Sequence, residues 1–296
     1  MDKGRVAVVV VTYNRIVQLQ NCVKAIRDFD YRNFELIVVN NGSNDGTKDW
    51  LDNQDGITAI HQSNLGGAGG FYAGMSYMYN GDFTWLLLLD DDGVPDRSEL
   101  TNLIMAYDDM KAMSGRNVIL NALVANIEKP DEIAFPWARG SHYSNRIADI
   151  QRLRYVDQIQ PFNGTLIHRS VIQKIGMIKK EMFIWGDEYE YTKRALHNDI
   201  GCYTITDAIH YHPKERGTKV RILWFTNKYL MTVKPEKLSH FYYRNMGYIC
   251  TCYPEMRISG FKFFFANVIY NILHLNFVEL RKLFVYFVKG IHNDFR

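Results

Sequence analysis

Only four cysteines occur in 296 residues, at positions 22, 202, 250 and 252. Their spacing matches no metal-ligand motif and no small disulfide framework, so the thiols are expected to be reduced, as in the cytosol. Long apolar runs are lacking too. Val6–Val11 is only strand-length, so the opening MDKGRVAVVVVTYNR has no leader-like apolar core. The most apolar long window, Ile258–Phe277, is interrupted by Lys262, Asn267, Asn271, His274 and Asn276, which makes it a poor membrane span. There is no internal repeat and no low-complexity segment. A GxGxxG fingerprint is missing, which argues against a dehydrogenase, and TYNRIVQL after the first strand is not the basic glycine loop of a nucleotidyltransferase.

Hydrophobic residues make up 47% of the chain and charged residues 23%, an ordinary globular composition without long disorder. The length suits one large α/β domain with an appendage, or two domains. The small net charge of +3 hides a division. Residues 214–296 hold 14 Lys and Arg against 5 Asp and Glu, a net of +9, which taken from +3 leaves −6 on residues 1–213. The same tail carries 18 of the 41 aromatic residues. A basic, aromatic end on an acidic body points to an anionic surface as a partner.

The most informative stretch is Leu86–Asp92, LLLLDDD. Four leucines after Trp85 suit a strand buried on both faces, and three adjacent carboxylates repel one another unless a cation neutralises them. A buried strand ending in acids is how an α/β fold offers a divalent metal at the carboxyl edge of its sheet. Asp90 and Asp92, two apart on extended backbone, point the same way. The plainer alternative is a solvated acidic turn aided by Gly93 and Pro95.

Strand and helix signals alternate through the first two thirds. Strands are expected at Val6–Val11, Phe34–Val39, Thr58–His61, Leu86–Leu89, Val118–Val124, Phe162–Ile167 and Tyr203–Tyr211. Helices are expected at Val17–Phe29 and Ser98–Met113, after the glycine loop Asn64–Gly70 (NLGGAGG), and from Asp187. This alternation argues for a parallel, helix-covered sheet. Residues from about 129 to 149 read as a loop or insert, and beyond Pro213 the pattern turns to long helices.

Four further groups sit where strands end. TYNR (Thr12–Arg15) closes the first strand, and NNGSNDGT (Asn40–Thr47) closes the second with partners for a base or ribose in Asn40, Asn41 and Asp45, or with plain turn chemistry. NLGGAGG permits close backbone approach to a ligand, or is only a turn. WGDEYEYTKRA (Trp185–Ala195) places Asp187, Glu188 and Glu190 at a helix start, as a general base or as favourable charges for the helix dipole. IHYHP (Ile209–Pro213) offers His210 or His212 to complete the site of Asp90 and Asp92, a donor set suited to Mn²⁺ rather than Ca²⁺.

VVVTYNR, VVNNGSNDGT, NLGGAGGFYAGM, LLLLDDDGVPD and FIWGDEYEYTKRA, in this order and spacing, resemble the family 2 glycosyltransferases of GT-A fold, over about residues 5–215. Among these they look most like the bacterial galactofuranosyltransferases, and next the rhamnosyltransferases. The resemblance implies a GT-A α/β fold, Rossmann-like, with a mostly parallel sheet flanked by helices and a C-terminal helical appendage. It implies that Thr12, Asn14, Arg15 and Asn40 hold the nucleoside, that Asn64, Gly66 and Gly67 lie near the nucleotide, and that Asp91 belongs to the same nucleotide-binding set. Asp90 and Asp92 with His212 would hold Mn²⁺ or Mg²⁺ on the diphosphate. Glu188, with Asp187 beside it, would deprotonate the acceptor, the alignment leaving both positions open. Family members usually carry Asp where Asn40 stands.

These roles imply an inverting hexosyltransferase that moves galactofuranose from UDP-galactofuranose to a glycan, lipid-linked, in bacterial cell-surface polysaccharide synthesis. The alternatives are a rhamnosyltransferase using dTDP-rhamnose and a nucleotide-sugar-binding subunit without transfer activity. Residues 1–213 are expected to form the catalytic domain. Residues 214–296 would form a helical appendage that binds an anionic membrane, the acceptor or a second copy. The expected location is the cytoplasm, peripheral on the inner face of the cell membrane, with no nucleic-acid partner; homo-oligomerisation is left open.

Overall fold

A computed structural model describes residues 3–137, 141–214, 219–222 and 230–296. Residues 138–140 of the expected insert, and 215–218 and 223–229 of the basic tail, lie outside them. The chain divides into two compact units: Met1–Lys180 with Tyr191–Glu215, and Glu181–Glu190 with Arg216–Arg296. The segment Glu181–Glu190 thus groups with the C-terminal helices and not with the rest of residues 1–213.

In the first unit the order is β1 (Val6–Thr12), α1 (Ile16–Arg27), β2 (Phe34–Asn40), α2 (Thr47–Asp52), β3 (Ile57–His61), α3 (Gly66–Asn80), β4 (Trp85–Asp90), β5 (Val94–Pro95) and α4 (Glu99–Ser114). Then come β6 (Val118–Asn126), β7 (Lys129–Ile133), α5 (Ile147–Ile150), β8 (Tyr155–Val156), β9 (Thr165–His168), α6 (Arg169–Ile175), α7 (Asp187–His197, of which Asp187–Glu190 belong to the second unit) and β10 (Gly201–His212). The sheet runs β3-β2-β1-β4-β9-β6-β10-β5, with β7 beside β6 and β8 beside β10. Strands β3, β2, β1 and β4 are mutually parallel, as are β6 and β10. Between these blocks β9 runs antiparallel to both neighbours, so the sheet is mixed. It starts three residues later than its apolar run suggests because Phe162 and Gly164 take positive φ, 68° and 71°. Part of the expected insert is sheet as well, since β7 pairs with β6.

Strand alternation distributes the core to two faces. Val6, Val8, Val10, Leu87 and Leu89 meet Leu19, Val23 and Ile26 of α1 and Leu100 and Leu103 of α4. Ala7, Val9, Val11, Leu86 and Leu88 meet Phe71, Met75 and Met78 of α3, Val171 and Ile172 of α6 and Ala195 of α7. Each fully buried Leu or Val contributes about 1.5–3 kcal/mol. Cys22 belongs to this core. The glycine-rich stretch is largely the first turns of α3. A Cβ on Gly70 would stand 2.4 Å from Val11 and one on Gly74 2.2 Å from Val9, so these glycines let the helix lie directly on β1.

After Glu181–Glu190 the second unit has two antiparallel strands, β11 (Lys219–Arg221) and β12 (Leu230–Thr232), where only helix was expected. Helices α8 (Ser239–Cys252), α9 (Arg257–Leu273) and α10 (Phe277–Ile291) follow. Helices α8 and α10 pack backbone to backbone: a Cβ on Gly247 would meet the Phe287 carbonyl at 2.1 Å, and one on Gly290 the Arg244 carbonyl at 1.9 Å.

Candidate functional site

Register brings the carboxyl ends of the central strands level: Thr12 pairs with Asn40, and Val11 with Asp90. Leu86–Leu89 are fully buried, and burial falls off at Asp90, where the strand leaves the helical cover. Donor atoms of Asp90, Asp92 and His212 lie within 4.8 Å of one another. His212 Nε2 is 3.0 Å from Asp92 Oδ1. The other ring nitrogen, Nδ1, stands 2.7 Å from the Pro213 carbonyl and must carry a proton to bond to it. In the neutral ring the lone pair then lies on Nε2, the nitrogen turned to the carboxylates, an arrangement typical of metal-ligating histidines; in the imidazolium that nitrogen donates to Asp92 instead. Two carboxylates with such an imidazole fit Mn²⁺ or Mg²⁺.

Electrostatics binds this turn together. Burial works against charge on His212, but its bond to Asp92, that carboxylate's charge, the Pro213 carbonyl and Asp90 together raise its pKa above 6.5. Burial likewise opposes ionisation of Asp92, and the His212 bond and the charges of His212 and Arg15 outweigh it, lowering its pKa. Asp91 is 3% exposed, and its oxygens accept from Thr12 Oγ1 at 2.7 Å and Arg15 at 3.1 Å. Burial raises its pKa against those two partners. Arg15 also donates to Asp92 at 2.8 Å. Thr12, Arg15, Asp91 and Asp92 are thus one network joining β1 to the acidic turn.

The amides beside it organise the turns. Asn14, at φ 55°, accepts from the Asn44 backbone through its side chain, and its own N–H donates to Ser43. Asn40 is buried and accepts from the Ser43 N–H. Asn41 donates to the Gly66 carbonyl and accepts from Leu65 N and Gln62. Asn64 accepts from Gly66 N at 2.9 Å. The Asp45 carboxylate accepts from Ile16 N and from Thr47, which is turn and capping chemistry. A Cβ on Gly67 would have nothing within 4 Å, so packing makes no demand for glycine there.

His210 and His212 have different partners. His210 is fully buried with its Nδ1 3.0 Å from Glu99, also fully buried. A Cβ on Gly93 would fall 2.1 Å from His210 Nε2, so only glycine lets the acidic turn lie on this ring. Glu99 carried no sequence signal, because its partner is 111 residues away.

In the second unit Asp187 and Glu188 stand at the start of α7. Asp187 is 5% exposed, Glu188 partly exposed, and Glu190 accepts from Tyr253 Oη at 2.8 Å. Asn245 and Arg244 of α8, which sequence reasoning passed over, donate to the backbone just before α7. An Asn and an Arg inside a helix pattern read as solvated positions unless their burial is known.

The chain is 30% identical over 250 residues to galactofuranosyltransferase GlfT1 of Mycobacterium tuberculosis, covering 81% of this chain and 80% of that one. It is 26% identical to GlfT1 of Mycolicibacterium smegmatis over 82% of each. Among solved structures, S. aureus TarS 1–349 in complex with UDP-GlcNAc superposes with a TM-score of 0.54 at 17% identity, over 83% of this chain and 65% of that one. The mannosyltransferase PcManGT from Pyrobaculum calidifontis, in complex with GDP-Man and Mn²⁺, gives 0.51 at 14%, over 82% and 61%. This chain therefore spans just under two thirds of those solved chains, which bear on fold alone. The sequence profile of glycosyl transferase family 2 matches residues 7–176. With that match over more than half its length, and the GT-A architecture described above, the chain belongs to glycosyl transferase family 2 and is a glycosyltransferase.

Proposed function

We propose that this enzyme transfers galactofuranose from UDP-galactofuranose to a hydroxyl of a lipid-linked glycan, with inversion and with a bound divalent metal, in cell-surface polysaccharide synthesis. The observation that carries the metal-dependent reading is the grouping of Asp90, Asp92 and His212 Nε2 at the sheet's carboxyl edge. The choice of sugar rests on the galactofuranosyltransferase relatives.

Thr12, Asn14, Arg15 and Asn40 hold the nucleoside, with Asn64, Gly66 and Gly67 near the nucleotide and Asp91 bracing Arg15. Asp90, Asp92 and His212 would hold Mn²⁺ or Mg²⁺, whose charge would stabilise the leaving nucleoside diphosphate. Glu188, supported by Asp187, takes the acceptor hydroxyl's proton as that oxygen bonds to the anomeric carbon. The bond from that carbon to the phosphate oxygen breaks, and its electron pair leaves with UDP. No covalent sugar–enzyme intermediate is required. The exposed apolar face of α9 rests on the inner membrane surface, near such an acceptor.

The test is a donor screen with purified enzyme, Mn²⁺ and acceptor, offering UDP-galactofuranose, dTDP-rhamnose, UDP-glucose and UDP-galactose. Acceptor-dependent UDP release that is fastest with UDP-galactofuranose is expected. Faster turnover of dTDP-rhamnose overturns the sugar. Binding of UDP-galactofuranose with neither transfer nor hydrolysis overturns catalysis.

A further inference from the structure

The backbone leading to the proposed base is wound tightly. Phe183, Trp185 and Gly186 have φ of 66°, 60° and 97°, a region that bulky residues occupy only when their surroundings impose it. What imposes it here lies on α8. Asn245 is fully buried, and its amide nitrogen lies 2.8, 3.1 and 2.9 Å from the carbonyls of Met182, Ile184 and Trp185, its two hydrogens shared among the three. The neighbouring Arg244, 4% exposed, donates to the Glu181 carbonyl at 2.7 Å. Ring contacts follow the same path: Phe183 stacks on Phe241 at 4.2 Å, and Lys234 lies 4.7 Å over Trp185. Beyond the proposed base, Tyr253 holds Glu190. Asp187 and Glu188 therefore stand between two anchors that both come from the C-terminal helical unit.

We infer that Asn245, seconded by Arg244, is a positioning residue of the transfer reaction: it sets the orientation in which α7 begins, and so the direction in which its first carboxylates point. The inference rests on the proposed reading that Asp187 and Glu188 serve as base and support. A carboxamide suits the place because it donates, whereas an aspartate of the same size would set its own oxygens against three carbonyl oxygens. The C-terminal unit then has a role in catalysis besides any docking role. Small misplacement of a reacting group costs rate steeply.

The experiment compares full-length wild type with Asn245→Asp, Asn245→Gln, Arg244→Lys, Glu188→Gln and Asp187→Asn. Calorimetric titration with UDP and Mn²⁺ counts competent donor sites, and kcat is expressed per site. Asn245→Asp is expected to lose at least about tenfold in kcat per site while donor KM and UDP affinity stay within about twofold. Asn245→Gln, which keeps a donating amide, should recover part of that loss, and Arg244→Lys should show the same pattern more weakly. A structural role alone would lower the number of sites and leave kcat per site unchanged, which overturns the inference. If Asn245→Asp binds no UDP, wild-type kcat per site in Arg244→Lys overturns it instead. Full activity in both Glu188→Gln and Asp187→Asn sinks the base reading, and the inference with it. Loss in Glu188→Gln or Asp187→Asn beside a fully active Asn245→Asp sinks the positioning role only.

Discussion

His212 carries its ring proton on the side of the Pro213 carbonyl, and Asp92 lies between Nε2 of that ring and the Arg15 guanidinium. Asp92→Asn keeps the volume and removes the charge, so the fold should persist while turnover falls by at least about a hundredfold. Mn²⁺ binding followed by electron paramagnetic resonance should weaken in parallel, and near-full activity in EDTA would refute the metal's role. His168 allows a test away from this site. It packs against Trp85 and Tyr107, and its Nδ1 accepts from the Ser170 backbone as the cap of α6. Burial first, and then the charge of Lys111, push its pKa below 6.5 against Asp108. Unfolded, the ring protonates near 6.5, where the folded ring does not. Stability tied to the neutral ring is thus complete above that pH and is lost as pH falls through it toward the folded value. Urea midpoints of His168→Asn should decline less than wild type between about pH 7 and pH 5.5. Parallel curves would discard this account.

At the scale of single elements, α3 separates two uses of glycine. The Cβ of Gly74→Ala would lie 2.2 Å from Val9 in the middle of the sheet, where neither strand nor helix yields easily. A loss of about 1–3 kcal/mol is expected in equilibrium unfolding. Gly67→Ala meets nothing within 4 Å and should leave unfolding unchanged. A rise in donor KM in that stable variant would then report on close approach of the nucleotide, and equal destabilisation by both changes would contradict the distinction. In α10, Leu283 and Phe287 are buried, whereas Phe284 is exposed.

For the molecule as a whole, the exposed apolar surface is concentrated on α9 and its turn into α10. Phe261, Phe265 and Phe277 are 55%, 57% and 63% exposed, while Asn267 and Asn271 on the same helix are buried. This polarity is the reverse of an ordinary surface helix. No Asp or Glu occurs from Arg257 to Val278, and Arg257, Lys262 and Arg281 are exposed. Among the described residues no helix is long and apolar enough to cross a membrane. Each basic group beside an anionic bilayer contributes about 1 kcal/mol. Co-sedimentation should reveal salt-sensitive binding to anionic and not to neutral vesicles, weakened by the double change Phe261→Ser and Phe265→Ser. No binding at low salt, together with a concentration-dependent dimer lost in that variant, would assign the face to a second copy.

Local pattern was enough to place most strands and helices of the first unit. Their apolar periods are strong, and their ends carry Asp, Asn and Gly, whose chemistry is local. The acidic cluster was legible for the same reason, since three like charges after a buried run demand a partner wherever they lie. Direction and partnership were not legible. Nothing within Thr165–His168 says that β9 runs against its neighbours, because hydrogen-bond direction is a property of a pair. His210 and His212 look alike in sequence and part only when Glu99 and Asp92 arrive from elsewhere in the chain. Asn245 is one polar residue in a helix until the fold buries it against three carbonyls. Sequence by itself determined which groups must be buried, paired or charged. Tertiary structure alone decided with whom, because a buried polar group is satisfied by whichever partner the fold brings to it, at any separation along the chain.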